Sequence, residues 1–261
     1  MPLRLPVSCR RLALLVLIAL PVAAHAEGDA ATYEQCLALA RKDPASGFES
    51  GSSWRDHGGG LPAEHCVAVA LFGLKEYGEA AQRLERIAGR MARESDALRA
   101  DVLAEAAEAW SEAGRPENAE GALTAALKLS PRNVDYMVNR AVAHAQRKNY
   151  KGAVEDLNNA LATGGPRADA LAYRASAWRF LGDLKQARAD AERSVQTDPK
   201  LVEGWLELAN VKRLTGDTAG ARKDWLKVIE LAPQSAAADA ARDNIETLDV
   251  HVEGAPPAKR Q

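Results

Sequence analysis

Apolar positions recur along most of the chain with the period of an α-helix. Leu103, Ala106, Ala107 and Trp110 fall at i, i+3, i+4 and i+7, so one helical face carries all four. Ala119, Leu123, Ala126 and Leu127 form a second such stripe. Gly114-Arg115 lies between the two and suits a tight turn. The local pattern is therefore helix, short turn, helix.

That pattern repeats. Ala119, Ala153, Ala187 and Ala221 stand 34 residues apart, and twelve residues before each stands Ala107, Ala141, Ala175 or Ala209. Ala68 and Ala80 make a fifth pair at the same spacing. Gly182-Asp183 and Gly216-Asp217 match Gly114-Arg115, while Lys75-Glu76-Tyr77 and Lys148-Asn149-Tyr150 fill the same place in the other two units. Pro131, Pro199 and Pro233 follow the second helices. A fixed period of this length marks a repeat architecture. Alanine belongs where paired helices cross, because a larger side chain would push them apart.

These residues resemble the tetratricopeptide repeat. Unit 202–235 shows Trp205, Leu208, Ala209, Ala221, Trp225, Val228 and Pro233; unit 168–201 shows Leu171, Ala175, Trp178, Leu184, Ala187 and Pro199. The resemblance covers residues 61–235 as five units: 61–99 (with about five extra residues), 100–133, 134–167, 168–201 and 202–235. It implies an all-α fold, an α-solenoid of antiparallel helix pairs with terminal cap helices, stacked into a superhelix with a long concave face.

The flanks read as caps. Tyr33, Cys36, Leu37 and Ala40 make an apolar face on a helix from about Ala30 to Lys42, ended by Asp43-Pro44. Residues 45–57 read as a worn second helix that buries Phe48 and Trp54, although Ser50-Gly51-Ser52 and Gly58–Gly60 interrupt its helical propensity. Residues 27–60 are then an N-terminal cap or a degenerate helix pair. A capping helix over 236–249 puts Ala237, Ala241, Ile245 and Leu248 inward, and 250–261 reads as a flexible tail.

Composition narrows the picture. Alanine supplies 53 of 261 residues and aromatics only 5%, which disfavours a β-sandwich or barrel. Charged residues are abundant but balanced, with a formal net charge of −2, so nucleic acid is not an expected partner. Arg4, Arg10 and Arg11 precede an apolar run from Leu12 to Ala24, and Ala24-His25-Ala26 is an A-x-A-like site. This order reads as a secretory signal peptide over residues 1–26, cleaved after Ala26. A twin-arginine signal and an uncleaved anchor are the alternatives. After cleavage 31 basic residues face 36 acidic ones and no membrane-spanning run remains, so a periplasmic or secreted protein is expected.

Cys36 and Cys66 are the cysteines left after processing, and an even pair in an exported chain points to a disulfide. Two buried free thiols are the alternative. A redox role lacks a Cys-x-x-Cys. His57, His65 and Cys66 do not have a zinc-site spacing, and Gly58–Gly60 lacks the Gly-Lys-Ser/Thr of a phosphate loop. No catalytic motif, cofactor site or metal site is expected. His144 sits where the repeat places a core aromatic. Arg140 and Asp156, and Arg174 and Asp190, share one offset that reads as an ion pair between paired helices. In the next unit Leu208 replaces the arginine while Asp224 remains.

The resemblance implies that first-helix residues face a protein or peptide in the concave groove. The apolar register leaves Asp101, Glu105 and Glu108 outside the core in one unit, then Asn139, Val142 and Gln146. Asp169, Tyr173, Ser176 and Arg179 follow, then Glu203, Leu206, Asn210 and Arg213. The groove is expected to be acidic early and mixed with arginine later. The basic-and-asparagine clamp that some family members use for C-terminal carboxylates has no counterpart here. The expected function is a non-enzymatic protein-interaction scaffold in the bacterial periplasm. A stable accessory subunit of an envelope, cell-wall or secretion assembly is the second reading. An enzyme or small-molecule sensor is the third.

Overall fold

The computed structural model describes residues 22–253. Among these residues there are thirteen helices and no strand. The first pair is α1 (Val22–Lys42) and α2 (Pro44–Asp56), followed by α3 (Gly60–Gly73) and α4 (Tyr77–Arg90). Then come α5 (Asp96–Glu112) with α6 (Pro116–Leu129), and α7 (Val134–Gln146) with α8 (Tyr150–Gly164). The last pairs are α9 (Ala168–Leu181) with α10 (Leu184–Thr197), and α11 (Val202–Leu214) with α12 (Thr218–Leu231), closed by α13 (Ala236–Glu253). Each helix packs on its neighbours in sequence, and α7, α9 and α11 also touch in succession. The chain is a helical solenoid in which the odd-numbered helices share one side.

The alanine pairs sit where the pattern requires them. Ala68, Ala80, Ala107, Ala119, Ala141, Ala153, Ala175, Ala187, Ala209 and Ala221 are each at most 1% exposed. Larger residues fill the space between pairs: Leu123, Leu157 and Trp225 are buried within 2% exposure. At the far end Trp225 and Val228 pack against Ala241, with Ile245 and Leu248 beside them. The helix α13 thus covers a face that would otherwise meet water.

Local sequence sets the turns. The turn residues Gly114, Gly182 and Gly216 have φ of 68°, 85° and 86°, a left-handed conformation that glycine adopts without steric cost. Lys75 and Lys148 hold the same position at φ 65° and 61°, where a Cβ is strained. One residue later Asn149, Asp183 and Asp217 cap the second helices by accepting the N–H of Gly152, Gln186 and Gly220.

The first two helices depart from expectation. The helix α1 begins at Val22, earlier than Ala30, since no proline interrupts the stretch before Asp43. The basic region and most of the apolar run lie outside the described residues, whereas Ala24-His25-Ala26 falls within α1. The helix α2 is regular despite its glycines. Phe48 and Trp54 are half-buried, and the buried positions are Gly47 and Gly51. A Cβ on Gly47 would stand 2.3 Å from the Ala40 Cα, and one on Gly51 would stand 3.0 Å from Val67 Cγ2. These glycines are close-approach residues, which offsets their poor helical propensity. At the other end α13 reaches Glu253, past the expected tail boundary at 250, and the rest of the expected tail lies outside the described residues. No helix among the described residues is long and apolar enough to cross a membrane.

A covalent tie joins α1 to α3. Cys36 and Cys66 form a disulfide with Cα atoms 6.0 Å apart and a sequence separation of 30. Closing a loop of that size contributes on the order of 3–4 kcal/mol.

Overfilling a crossing is expected to loosen the solenoid. Ala175→Leu and Gly47→Ala should each lower unfolding stability by about 1–3 kcal/mol in urea titrations. The turns should respond with opposite signs in the same assay. Lys148→Gly is expected to raise stability by up to about 1 kcal/mol, and Gly182→Ala to lower it by about 1 kcal/mol.

Candidate functional site

The helix α5 carries Asp101, Glu105 and Glu108 on the face left free by its buried stripe of Val102, Ala106, Ala109 and Trp110. Asn139, Val142 and Gln146 occupy the corresponding face of α7, and Asp169 and Tyr173 that of α9. The structure brings these eight residues together around a groove of about 840 Å³, floored by Ala104, Ala107, Leu123 and Val138. Leu98, Glu112 and Arg167 also line it. The sequence reading passed over them. Leu98 and Glu112 extend the same face by i−3 from Asp101 and i+4 from Glu108, so the helical period was a sufficient signal. Arg167 precedes α9 and carried no periodic signal.

Hydrogen bonds fix several walls. The Tyr136 hydroxyl donates to the Asp101 carboxylate across the gap between α7 and α5. Burial, and then this bond, hold the Tyr136 phenol well above its ordinary pKa. His65 bridges α1, α3 and α5: its Nδ1 is 2.8 Å from the Tyr33 hydroxyl and its Nε2 is 2.6 Å from a Glu105 oxygen. With tyrosine donating to Nδ1, Nε2 carries the proton that Glu105 accepts. The disulfide beside it holds Cys66, and His57 Nδ1 lies 2.7 Å from the Ser53 carbonyl oxygen. Arg167 spans Asp169 and Asp135, each at 2.6 Å. Those two carboxylates, Asp169 first, raise the guanidinium pKa, and Arg167 in turn holds the Asp169 carboxyl below its usual range.

The remaining expected residues are placed differently. Ser176 lines a neighbouring cavity of about 310 Å³ with Tyr150, Tyr173 and Phe180. Arg179 donates to both oxygens of the buried Glu207 at 2.7 and 3.0 Å, and its guanidinium lies 4.3 Å from the Phe180 ring centre. Its charge is thus committed to joining α9 to α11. The Asn210 side-chain oxygen accepts from the Trp225 indole at 3.3 Å. Glu203, Leu206 and Arg213 stand on α11, outside the groove lined by α5 and α7. Of the two arginines expected to mix with the acids later in the groove, Arg179 is engaged by Glu207 and Arg213 is exposed.

Half-buried cations paired with buried acids hold the groove helices in place. Arg140 donates to both Asp156 oxygens at 2.8 and 2.6 Å and reaches Thr124 of the preceding pair at 3.3 Å. Arg174 repeats this with Asp190, both at 2.7 Å, and with Asn158 at 2.7 Å. The bond is thus also a tie between successive pairs, beyond the expected tie within one. Where Leu208 replaces the arginine, Lys212 binds Asp224 at 2.5 Å. Lys212 lies one turn after Leu208 and at the repeat position of Trp178, so cation and bulky apolar residue have exchanged places. His144, also at that position, lies 3.3 Å from Glu120 and 3.6 Å from Asp156.

Asp190→Ala would leave the half-buried Arg174 without its acid and should cost about 2–3 kcal/mol in chemical denaturation. Glu192→Ala, which removes the exposed pair with Arg188, should stay within about 0.5 kcal/mol.

Comparison with known proteins agrees with this architecture. A heat-shock protein cognate co-chaperone of Aspergillus fumigatus is 30% identical over 129 residues, 48% of this chain and 38% of its own. A TPR repeat-containing protein of Pseudomonas aeruginosa is 41% identical over 44 residues, 17% of this chain and 42% of its own. The chain thus spans about two fifths of the length of these curated relatives. Among solved structures, a thermophilic TPR protein of Thermus thermophilus superposes with a TM-score of 0.57 at 16% identity, covering 73% of this chain and 99% of that one. The MamA protein of Desulfovibrio magneticus gives 0.57 at 18% identity, covering 67% and 97%. These two likenesses are of fold. The tetratricopeptide repeat family model matches residues 105–170 and 174–240, just over half of the sequence. With that match laid over the helix pairs of α5 to α12, the chain belongs to the tetratricopeptide repeat family.

Proposed function

We propose that this chain is a non-enzymatic interaction scaffold of the bacterial envelope, holding a peptide or protein partner in the groove beside α5, α7 and α9. Continuity of the groove carries the reading. The central space of about 840 Å³ shares Leu98, Asp101 and Glu105 with one neighbouring cavity, and Val142, Gln146 and Tyr173 with another. An open trough of that extent suits an extended chain better than a small molecule, which favours a closed pocket. Its walls are helices locked by buried ion pairs, so little ordering is lost on the scaffold's side when a partner binds. The co-chaperone relative from Aspergillus fumigatus supports a partner-holding role.

Export rests on separate support. Arg4, Arg10 and Arg11, the run Leu12–Ala24 and the site at Ala24-His25-Ala26 follow the order of a secretory signal. The Cys36–Cys66 bridge suits an oxidising compartment.

A photo-crosslinking residue placed at Glu108, in cells expressing the chain, is expected to trap a partner. The same residue at the exposed Arg193 on α10 should not. Equal trapping at both positions would remove the groove from the binding face. N-terminal sequencing of the periplasmic fraction should begin at Glu27; an intact Met1 in the cytosol would overturn export.

A further inference from the structure

We infer that the partner is an extended basic segment, with lysine or arginine at its centre and bulky apolar side chains on either side. This rests on the groove being the binding face and adds the chemistry of what it holds.

The first observation is uncompensated charge. Asp101, Glu105, Glu108 and Glu112 stand on one face of α5 at i, i+4, i+7 and i+11. Like charges at such spacings destabilise a helix. The structure offers these four little return. Asp101 and Glu105 receive bonds from Tyr136 and His65. Glu108 and Glu112 are exposed and form no ion pair with any described residue. Arg167, the cation lining the groove, is already engaged by Asp135 and Asp169. The carboxylates form a row along the helix, and no three His, Cys, Asp or Glu side chains among the described residues converge to hold a metal ion. A row calls for charge spread along a chain rather than for a point cation.

The second observation is apolar and independent of the first. On the α3 side the groove opens into a cavity of about 330 Å³ walled by Leu61, Ile87, Met91 and Leu98. Leu98 is 46% exposed at its mouth. On the α9 side lies the cavity of about 310 Å³, walled by Tyr150, Tyr173 and Phe180 over small residues. Phe180 is 55% exposed yet held rigidly, stacked on Tyr150 at 4.6 Å between ring centres. Both sockets share lining residues with the central groove, the α3-side one through Leu98, Asp101 and Glu105 and the α9-side one through Val142, Gln146 and Tyr173, so one extended chain can fill all three. Such rigid aromatic walls make good anchors for side chains. A polyanion, whether nucleic acid or an acidic peptide, would be repelled by the centre of the same trough.

Fluorescence anisotropy on the full chain tests this directly. The probe is a fluorescein-labelled peptide with lysines at its centre and leucine and phenylalanine toward its two ends. It should bind at least about tenfold more tightly than the same peptide with glutamates at the centre, and weaken several-fold at high salt. The double variant Glu108→Gln, Glu112→Gln should weaken it by about 3–10-fold with an unchanged helical circular dichroism spectrum. Glu246→Gln, on α13, should not. Phe180→Ala, or alanine in place of the peptide's apolar ends, should weaken it by a similar factor. Equal or tighter binding of the glutamate peptide would overturn the basic partner and leave the scaffold standing. Unchanged affinity without the apolar ends would overturn the sockets. Binding of neither peptide would overturn the inference, while trapping at Glu108 in cells judges the scaffold separately.

Discussion

Two helices approach only as closely as the side chains between them allow. In the five repeat units the limit is set by alanine at both sides of the crossing, from Ala68 with Ala80 to Ala209 with Ala221, all but excluded from solvent. Close crossing fixes the geometry within each pair, and the fixed geometry lets pairs stack with a common side formed by odd-numbered helices. Where the N-terminal pair crosses still more tightly, alanine is too large and Gly47 takes its place against Ala40. The groove, the sockets and the charge row all inherit their positions from these contacts.

A second layer of order comes from buried charge. Desolvating Arg140, Arg174 and Lys212 is costly, and each is offset by an acid on the partner helix held in near-ideal contact. Because the arginines also reach Thr124 and Asn158 on the preceding pair, they set the stacking of units as well as the pairing within one. Arg179 with Glu207 is a further instance. What remains open to a partner on α5 is acid.

That division explains why the groove was only half legible in the sequence. Periodicity separates buried from exposed faces, so Asp101, Glu105, Asn139 and Tyr173 were found on the right side of their helices. Periodicity does not reveal which exposed polar residue has a neighbour from another unit. Arg179 reads as a groove cation until Glu207, 28 residues on, is seen beneath it. Gly51 of α2 reads as an interruption until Val67 of α3 is seen against it.

The sequence by itself determined the helix pairs, their period, the alanine crossings and the turn glycines. All of these depend on contacts within a few residues or at one repeated spacing. Tertiary structure alone decided the continuity of the three cavities, the Tyr33–His65–Glu105 bridge, the bond from Tyr136 to Asp101 and the exchange of roles between Leu208 and Lys212. These depend on the small rotation accumulated from one unit to the next. A one-dimensional pattern records that a face is free, and only the stacked helices show what stands opposite it.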